Sequence, residues 1–227
     1  MVDRDLIAAV RGGLAELADP TKAPQMQRYM KSAMPYLGVQ TPAWRPLAKR
    51  LARAYPQVDA RALAETVREL WYGATYREER YVALELTGGR RWQRLELLPL
   101  YDELIVDGAW WDFVDALAIH RAGPLLREHP AEVTPMIRRW AADDDRWRRR
   151  SAVICQVGSK AATDTGLLAY CIERNLADRD FFLRKGIGWA LREFSRVDPG
   201  WVIAFLAAHP GLSPLSRREA NRRLPMG

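Results

Sequence analysis

Apolar side chains recur along this chain every three or four residues, and sustained alternations of apolar and polar residues are nearly absent. Pro, Gly and Asp punctuate the pattern every 12–20 residues. The periodicity predicts helices over 3–18, 23–34, 42–54, 59–71, 76–87, 95–106, 111–119, 131–141, 146–157, 165–175, 180–195, 199–208 and 214–223. Thr41-Pro42, Asp198-Pro199 and Ser213-Pro214 each read as a helix N-cap followed by proline at the first helical position. The acidic run Asp143-Asp144-Asp145 suits a helix start, where carboxylates cap free amides and meet the positive end of the macrodipole. The fold class expected is all-α.

A degenerate repeat narrows that class. Asp145, Trp147, Arg149 and Arg150 match Asp180, Phe182, Arg184 and Lys185 at an offset of 35. One period before Arg150 stands Asp115, and 34 residues before that stands Tyr81. Two helices per unit at this period signal an α-solenoid of HEAT-like helical repeats. Such a chain would form a single domain over 1–227, with Tyr81, Asp115, Arg150 and Lys185 in a row on its concave face. A mixture of aromatic, acid and base is a poor core and suits a binding site, although a solvated row of unrelated residues would give the same register.

Charge adds a partner class. Thirty-five Lys and Arg against 28 Asp and Glu give +7, and the pI is about 9.7. That balance favours a polyanion, because lysine and arginine displace condensed counterions from phosphates. An Arg-rich genome would produce the same numbers. No apolar run reaches the ~18–20 residues of a membrane span, and the N-terminal stretch reads as an amphipathic helix, unlike a signal peptide. The spacing of Cys155 and Cys171 allows a disulfide without requiring one, and a reducing cytoplasm suits the chain better. Sequence signatures for a phosphate loop, a zinc deaminase, an HExxH site and a nucleophilic serine elbow are all missing, and His120, His129 and His209 are scattered.

Among the remaining constellations, Trp111 and Asp115 share one helix face a turn apart, while Trp110 points elsewhere and suits packing. A helix-end aspartate beside a core tryptophan would look the same. Trp189 and Arg192 share a face of a later helix, whose interior run Lys185-Gly-Ile-Gly-Trp189 is unfavourable unless something must approach closely. Trp189 could equally be core. Arg146, Arg148, Arg149 and Arg150 spread around their helix, and only the repeat singles out Arg150. Near the N-terminus, Gln27-Arg-Tyr-Met-Lys-Ser32 interleaves bases with an aromatic, and the helix start at Thr41 offers free amides for a phosphate.

At these residues the chain resembles the AlkD-like DNA glycosylases, HEAT-like repeat members of the DNA alkylation repair family. The matching segments are Arg28-Tyr-Met-Lys31, Leu37-Gly-Val-Gln-Thr-Pro42, Glu69-Leu-Trp71, Glu103-Leu-Ile-Val106, Trp110-Trp-Asp-Phe-Val-Asp115, Lys185-Gly-Ile-Gly-Trp-Ala-Leu-Arg-Glu-Phe194 and Pro214-Leu-Ser-Arg-Arg-Glu-Ala220. The fifth and sixth are the specific ones. The resemblance implies a catalytic carboxylate at Asp115, site-lining tryptophans at Trp111 and Trp189, a basic residue at Arg150 and a site-edge tyrosine at Tyr29. Lys185, Arg192, Arg149, Arg45, Thr41 and Lys31 are the candidates for holding DNA.

It further implies a monofunctional enzyme, without cofactor or metal, that hydrolyses the glycosidic bond of N3- or N7-alkylated purines in duplex DNA. Such a base is already cationic, so no acid need protonate it. Asp115, with an ordinary pKa of ~4, would be ionised and would stabilise the sugar cation and place a water. The two indoles would each favour the cation by ~0.5–2 kcal/mol. A Schiff base at Lys185, giving lyase chemistry, is a secondary idea. A monomer in the cytoplasm, near the nucleoid, is expected. The rival readings are a non-catalytic helical-repeat scaffold for DNA structures and one for protein partners.

Overall fold

A computed structural model of the protein describes residues 1–224. Every regular element among them is helical, and they contain no strand. The elements gather into two compact units, divided after Leu97.

The first unit holds α1 (Arg4–Glu16), α2 (Ala23–Met30), α3 (Thr41–Ala54), α4 (Ala60–Tyr72) and α5 (Arg77–Leu86), followed by two short 3-10 turns. Its core comes from one face of each long helix: Leu6, Val10 and Leu14 of α1, Leu63, Val67, Leu70 and Trp71 of α4, and Val82 of α5. Asp3 and Asp59 cap α1 and α4 by accepting the amides of Leu6 and Ala62. Most boundaries shift by a residue or two from the periodicity, and two of the shifts have a local cause. The second helix stops at Met30, because Lys31 turns left-handed (φ 49°) and the chain leaves through the Ser32 turn. The third begins one residue early, so Thr41 is its first residue; Gln40 occupies the cap position without a side-chain bond.

The second unit holds α6 (Leu98–Gly108), α7 (Trp111–Leu117), α8 (Gly123–Glu128), α9 (Pro130–Ala141), α10 (Arg146–Ile154), α11 (Thr165–Glu173), α12 (Phe181–Phe194), α13 (Pro199–Ala208) and α14 (Pro214–Asn221). Asp145, Asp164, Asp180, Asp198 and Ser213 each cap the next helix with a side-chain oxygen. Each such cap is worth ~1 kcal/mol. The asparagine of a long loop does similar service: Asn175 donates to the carbonyls of Ala141 and Cys171. Cys155 and Cys171 are free and buried.

One helix was missing from the periodicity. The element expected to stop at 119 runs on through a π-turn, Ala118–Ala122, into α8 despite Gly123-Pro124. Pro124 has no amide for the carbonyl of His120, and the Arg121 guanidinium donates to that carbonyl at 3.1 Å. Gly123 is required by closeness: a Cβ there would lie 2.2 Å from the Cys155 carbonyl, at the end of α10.

Repetition is visible in the packing. Trp110, Trp147 and Phe182, at corresponding starts of α7, α10 and α12, form one aromatic cluster with ring centroids 5.1–6.3 Å apart. The cluster seats α7, α10 and α12 side by side, and that arrangement positions the polar residues one turn further along each helix.

Candidate active site

Asp115 and Arg150 meet. The Arg150 Nε and Nη2 donate to the two carboxylate oxygens of Asp115, each at 2.7 Å. This is the bidentate geometry in which a planar guanidinium matches a carboxylate best. Their side chains are 7% and 16% exposed, so water screens the pair poorly. A third donor, Arg150 Nη1, reaches the Phe182 carbonyl in the first turn of α12. Arg150 therefore ties together α7, α10 and α12.

The carboxyl of Asp115 is not the ordinary one expected from the sequence. Burial raises its pKa, Arg150 pulls it down by hydrogen bond and charge, and nearby Asp112 adds to the rise; the net direction is upward. Trp111 begins α7 one turn before Asp115, half-buried, and thus on the same helix face.

A second charged cluster lies on α12. Lys185 lies one turn before Trp189, which is half-buried on the same face, and Arg192 follows three residues later. Lys185 Nζ binds Glu219 at 2.7 Å, Arg192 Nη1 binds the other oxygen of Glu219, and Arg222 adds a third contact at 3.2 Å. Burial opposes ionisation of Glu219. The Lys185 hydrogen bond and the charges of Lys185, Arg222 and Arg192 outweigh it and hold the carboxyl below its usual range.

Gly188 makes this possible, since a Cβ there would meet Glu219 Cβ at 2.4 Å and the Ser216 carbonyl at 2.7 Å. Glu219 stands 34 residues after Lys185, and Arg150 stands 35 after Asp115. Asp115 and Glu219 are thus each paired with a base one period away.

A sequence model of the DNA alkylation repair enzyme family matches residues 10–224. The chain belongs to the DNA alkylation repair enzyme family. Among solved structures, a predicted DNA alkylation repair enzyme from Enterococcus faecalis is similar at 29% identity and a TM-score of 0.82, over 92% of this chain and 98% of that one. No curated protein sequence matches. Membership supports a role in the repair of alkylation damage, with DNA as the substrate polymer.

Not every candidate of this family member is free to meet DNA. Arg149 donates to the carbonyls of Asp143 and Asp144 and pairs with Asp178 at 2.9 Å, bracing the loop that starts α10. Arg148 makes a bidentate pair with Asp102, and Arg146 lies over the Trp147 ring. In the first unit, Tyr29 is 75% exposed, and Lys31 and Thr41 are exposed. Arg45 lies over Trp44, 3.7 Å from Glu85. Tyr81 stacks on Trp44 and shares a 2.8 Å hydrogen bond with the Tyr36 hydroxyl.

Three polar groups, two in the second unit and one in the first, escaped the sequence reading. Glu219 was one period beyond Lys185, so the repeat itself could have found it. The Phe182 carbonyl has no sequence signal. Glu78 accepts the amides of Leu37, Gly38 and Val39 and so fixes the loop before α3; its burial raises its pKa against those hydrogen bonds.

A cavity of about 470 Å³ opens beside α10, α11 and α12, lined by Val157, Leu168 and Phe194 among others; Asp115, Arg150 and Trp189 do not line it.

Proposed function

We propose that the protein is a DNA glycosylase that removes N3- or N7-alkylated purines from duplex DNA by hydrolysis. The observation that carries this reading is a carboxylate with little exposure, locked by a bidentate arginine, one helical turn from an indole. In the reaction the C1′–N9 glycosidic bond breaks, for N3- and N7-alkylated purines alike, and its electron pair neutralises the cationic base. Water forms the new C1′–O bond and gives up one proton. The products are the neutral alkylpurine, an abasic deoxyribose and that proton.

Asp115 supplies negative charge to the sugar as it becomes cationic, and an oxygen lone pair to orient the water. Arg150 keeps the carboxylate in place and favours its ionised form. Trp111 and Trp189 present aromatic faces to cations. Lys185 and Arg192 offer positive charge to phosphates. Lys185 Nζ is engaged by Glu219 at 2.7 Å rather than standing free to attack a sugar aldehyde, which weighs against lyase chemistry.

The test is release of free base from duplex DNA carrying 7-methylguanine or 3-methyladenine, by wild type and by Asp115→Asn. The wild type should release base, and the variant should bind the DNA while turning over about 100-fold slower or less. Full activity in the variant would remove Asp115 from the mechanism. No release of any alkylpurine by wild type would leave a binding protein.

A further inference from the structure

Arg150 approaches α12 from the side and donates through Nη1 to the carbonyl of Phe182. In a helix that carbonyl also faces the amide four residues later, that of Gly186. A helical Cβ leans back toward the N-terminus, over the turn below it. A side chain at 186 would therefore stand beside the place the guanidinium occupies. A Cβ built there falls 3.1 Å from Arg150 Nη1 and 3.3 Å from Ile154 Cγ2.

A long side chain would ordinarily swing aside, but Arg150 is held at its other end by both oxygens of Asp115. The two glycines of α12 thus serve different neighbours. Gly188 admits the backbone of α14, and Gly186 admits a guanidinium. Glycine within a helix is otherwise inferior to alanine.

We propose that Gly186 is a positioning residue for the reaction, its missing side chain setting where Arg150, and through it the Asp115 carboxylate, stands against the substrate. The proposal rests on the glycosylase reading. A guanidinium carries five N–H donors, and the protein uses three of Arg150's: two for Asp115 and one for Phe182. Displacing Arg150 moves the carboxylate and the two remaining donors together.

The experiment is Gly186→Ala in the full chain. Turnover of 7-methylguanine DNA should fall about ten-fold or more, the scale expected of a sub-ångström to ångström misplacement, with KM little changed. The acid limb of the pH–rate profile should move to higher pH, because Asp115 loses part of its pairing. The melting temperature should stay near that of wild type, since the better helix propensity of alanine offsets the weakened pairing of Asp115.

Wild-type turnover and an unmoved acid limb would overturn the proposal, as would a melting temperature that falls in step with the rate. The Nε–H NMR signal of Arg150, assigned by its loss in Arg150→Lys, gives a readout independent of activity. It should shift in Gly186→Ala, and an unshifted signal overturns the positioning itself. A wild type that releases no base overturns the glycosylase reading and the reaction half of this proposal, whatever the signal does.

Discussion

Arg150 follows Asp115 by one repeat period and holds both of its carboxylate oxygens at 2.7 Å, so the acid proposed for catalysis is oriented by the equivalent position of the next repeat. Neighbouring rungs of the stack build the site together. Removing one rung leaves the other charged and shielded from water.

Arg150→Ala should therefore cost more than a surface ion pair. Breaking a buried pair from one side leaves an uncompensated charge, and a loss of about 3 kcal/mol is expected, measured by urea denaturation. Arg150→Lys keeps the charge but loses the fork. It should recover much of the stability and little of the activity.

Activity should depend on pH through Asp115. The reaction needs the carboxylate, and burial has raised its pKa above the ordinary 3.8. Activity is then lost as pH falls through that raised value, so the acid limb should lie above 3.8 and vanish from the residual activity of Asp115→Asn. For stability the sign is opposite to that of a typical ion-paired acid. The folded state binds this proton more tightly than the unfolded chain, so ionising Asp115 costs stability above its raised pKa, and that cost is removed as pH falls toward 3.8.

Glu219 runs the other way. Its folded pKa is below 4.5, so it contributes stability above 4.5 that is lost as pH falls through the lowered value. Glu219→Gln should remove about 2 kcal/mol, a figure reduced for the partial exposure of Lys185. Urea titrations at neutral pH and near pH 3 would check it: the gap between variant and wild type should narrow in acid.

Gly188→Ala should destabilise by about 1–3 kcal/mol although alanine favours helix. Its Cβ would meet the Ser216 carbonyl and Glu219 Cβ, which belong to a packed helix and cannot yield as a side-chain tip can. Urea denaturation of the variant measures the loss, and wild-type stability would contradict the close approach of α14.

The repeat was legible because stacked helix pairs keep the same residue types at the same place, and Asp145 and Asp180 do cap equivalent helices. That register set Asp115 and Arg150 one period apart, and the two do meet. Other pairings were less legible. Arg149 has the same sequence signal as Arg150, yet it faces Asp178 and two loop carbonyls, because adjacent positions on a helix point about 100° apart. The helix through Pro124 was hidden because a proline so deep in a helical run normally ends it; here the Arg121 side chain donates to the His120 carbonyl, for which Pro124 has no amide. Asp115's altered pKa was illegible as well, since burial is a property of the packed helices and not of the local sequence.

Trp111 and Trp189 carry the last expectation, which concerns choice of substrate rather than rate alone. An indole face attracts a cation through its quadrupole and gives a neutral purine no such advantage. Replacing either ring by leucine keeps apolar bulk and removes that attraction. The preference for 7-methylguanine over a neutral lesion such as hypoxanthine should then shrink by about 2- to 30-fold per ring, the equivalent of ~0.5–2 kcal/mol. Trp110→Leu is the control: its ring packs against Trp147 and Phe182, so it should lower stability and leave the preference intact. Single-turnover rates on the two lesions, in wild type and the three variants, would decide. An equal loss on charged and neutral bases in Trp111→Leu and Trp189→Leu would show that these rings shape the site without reading charge.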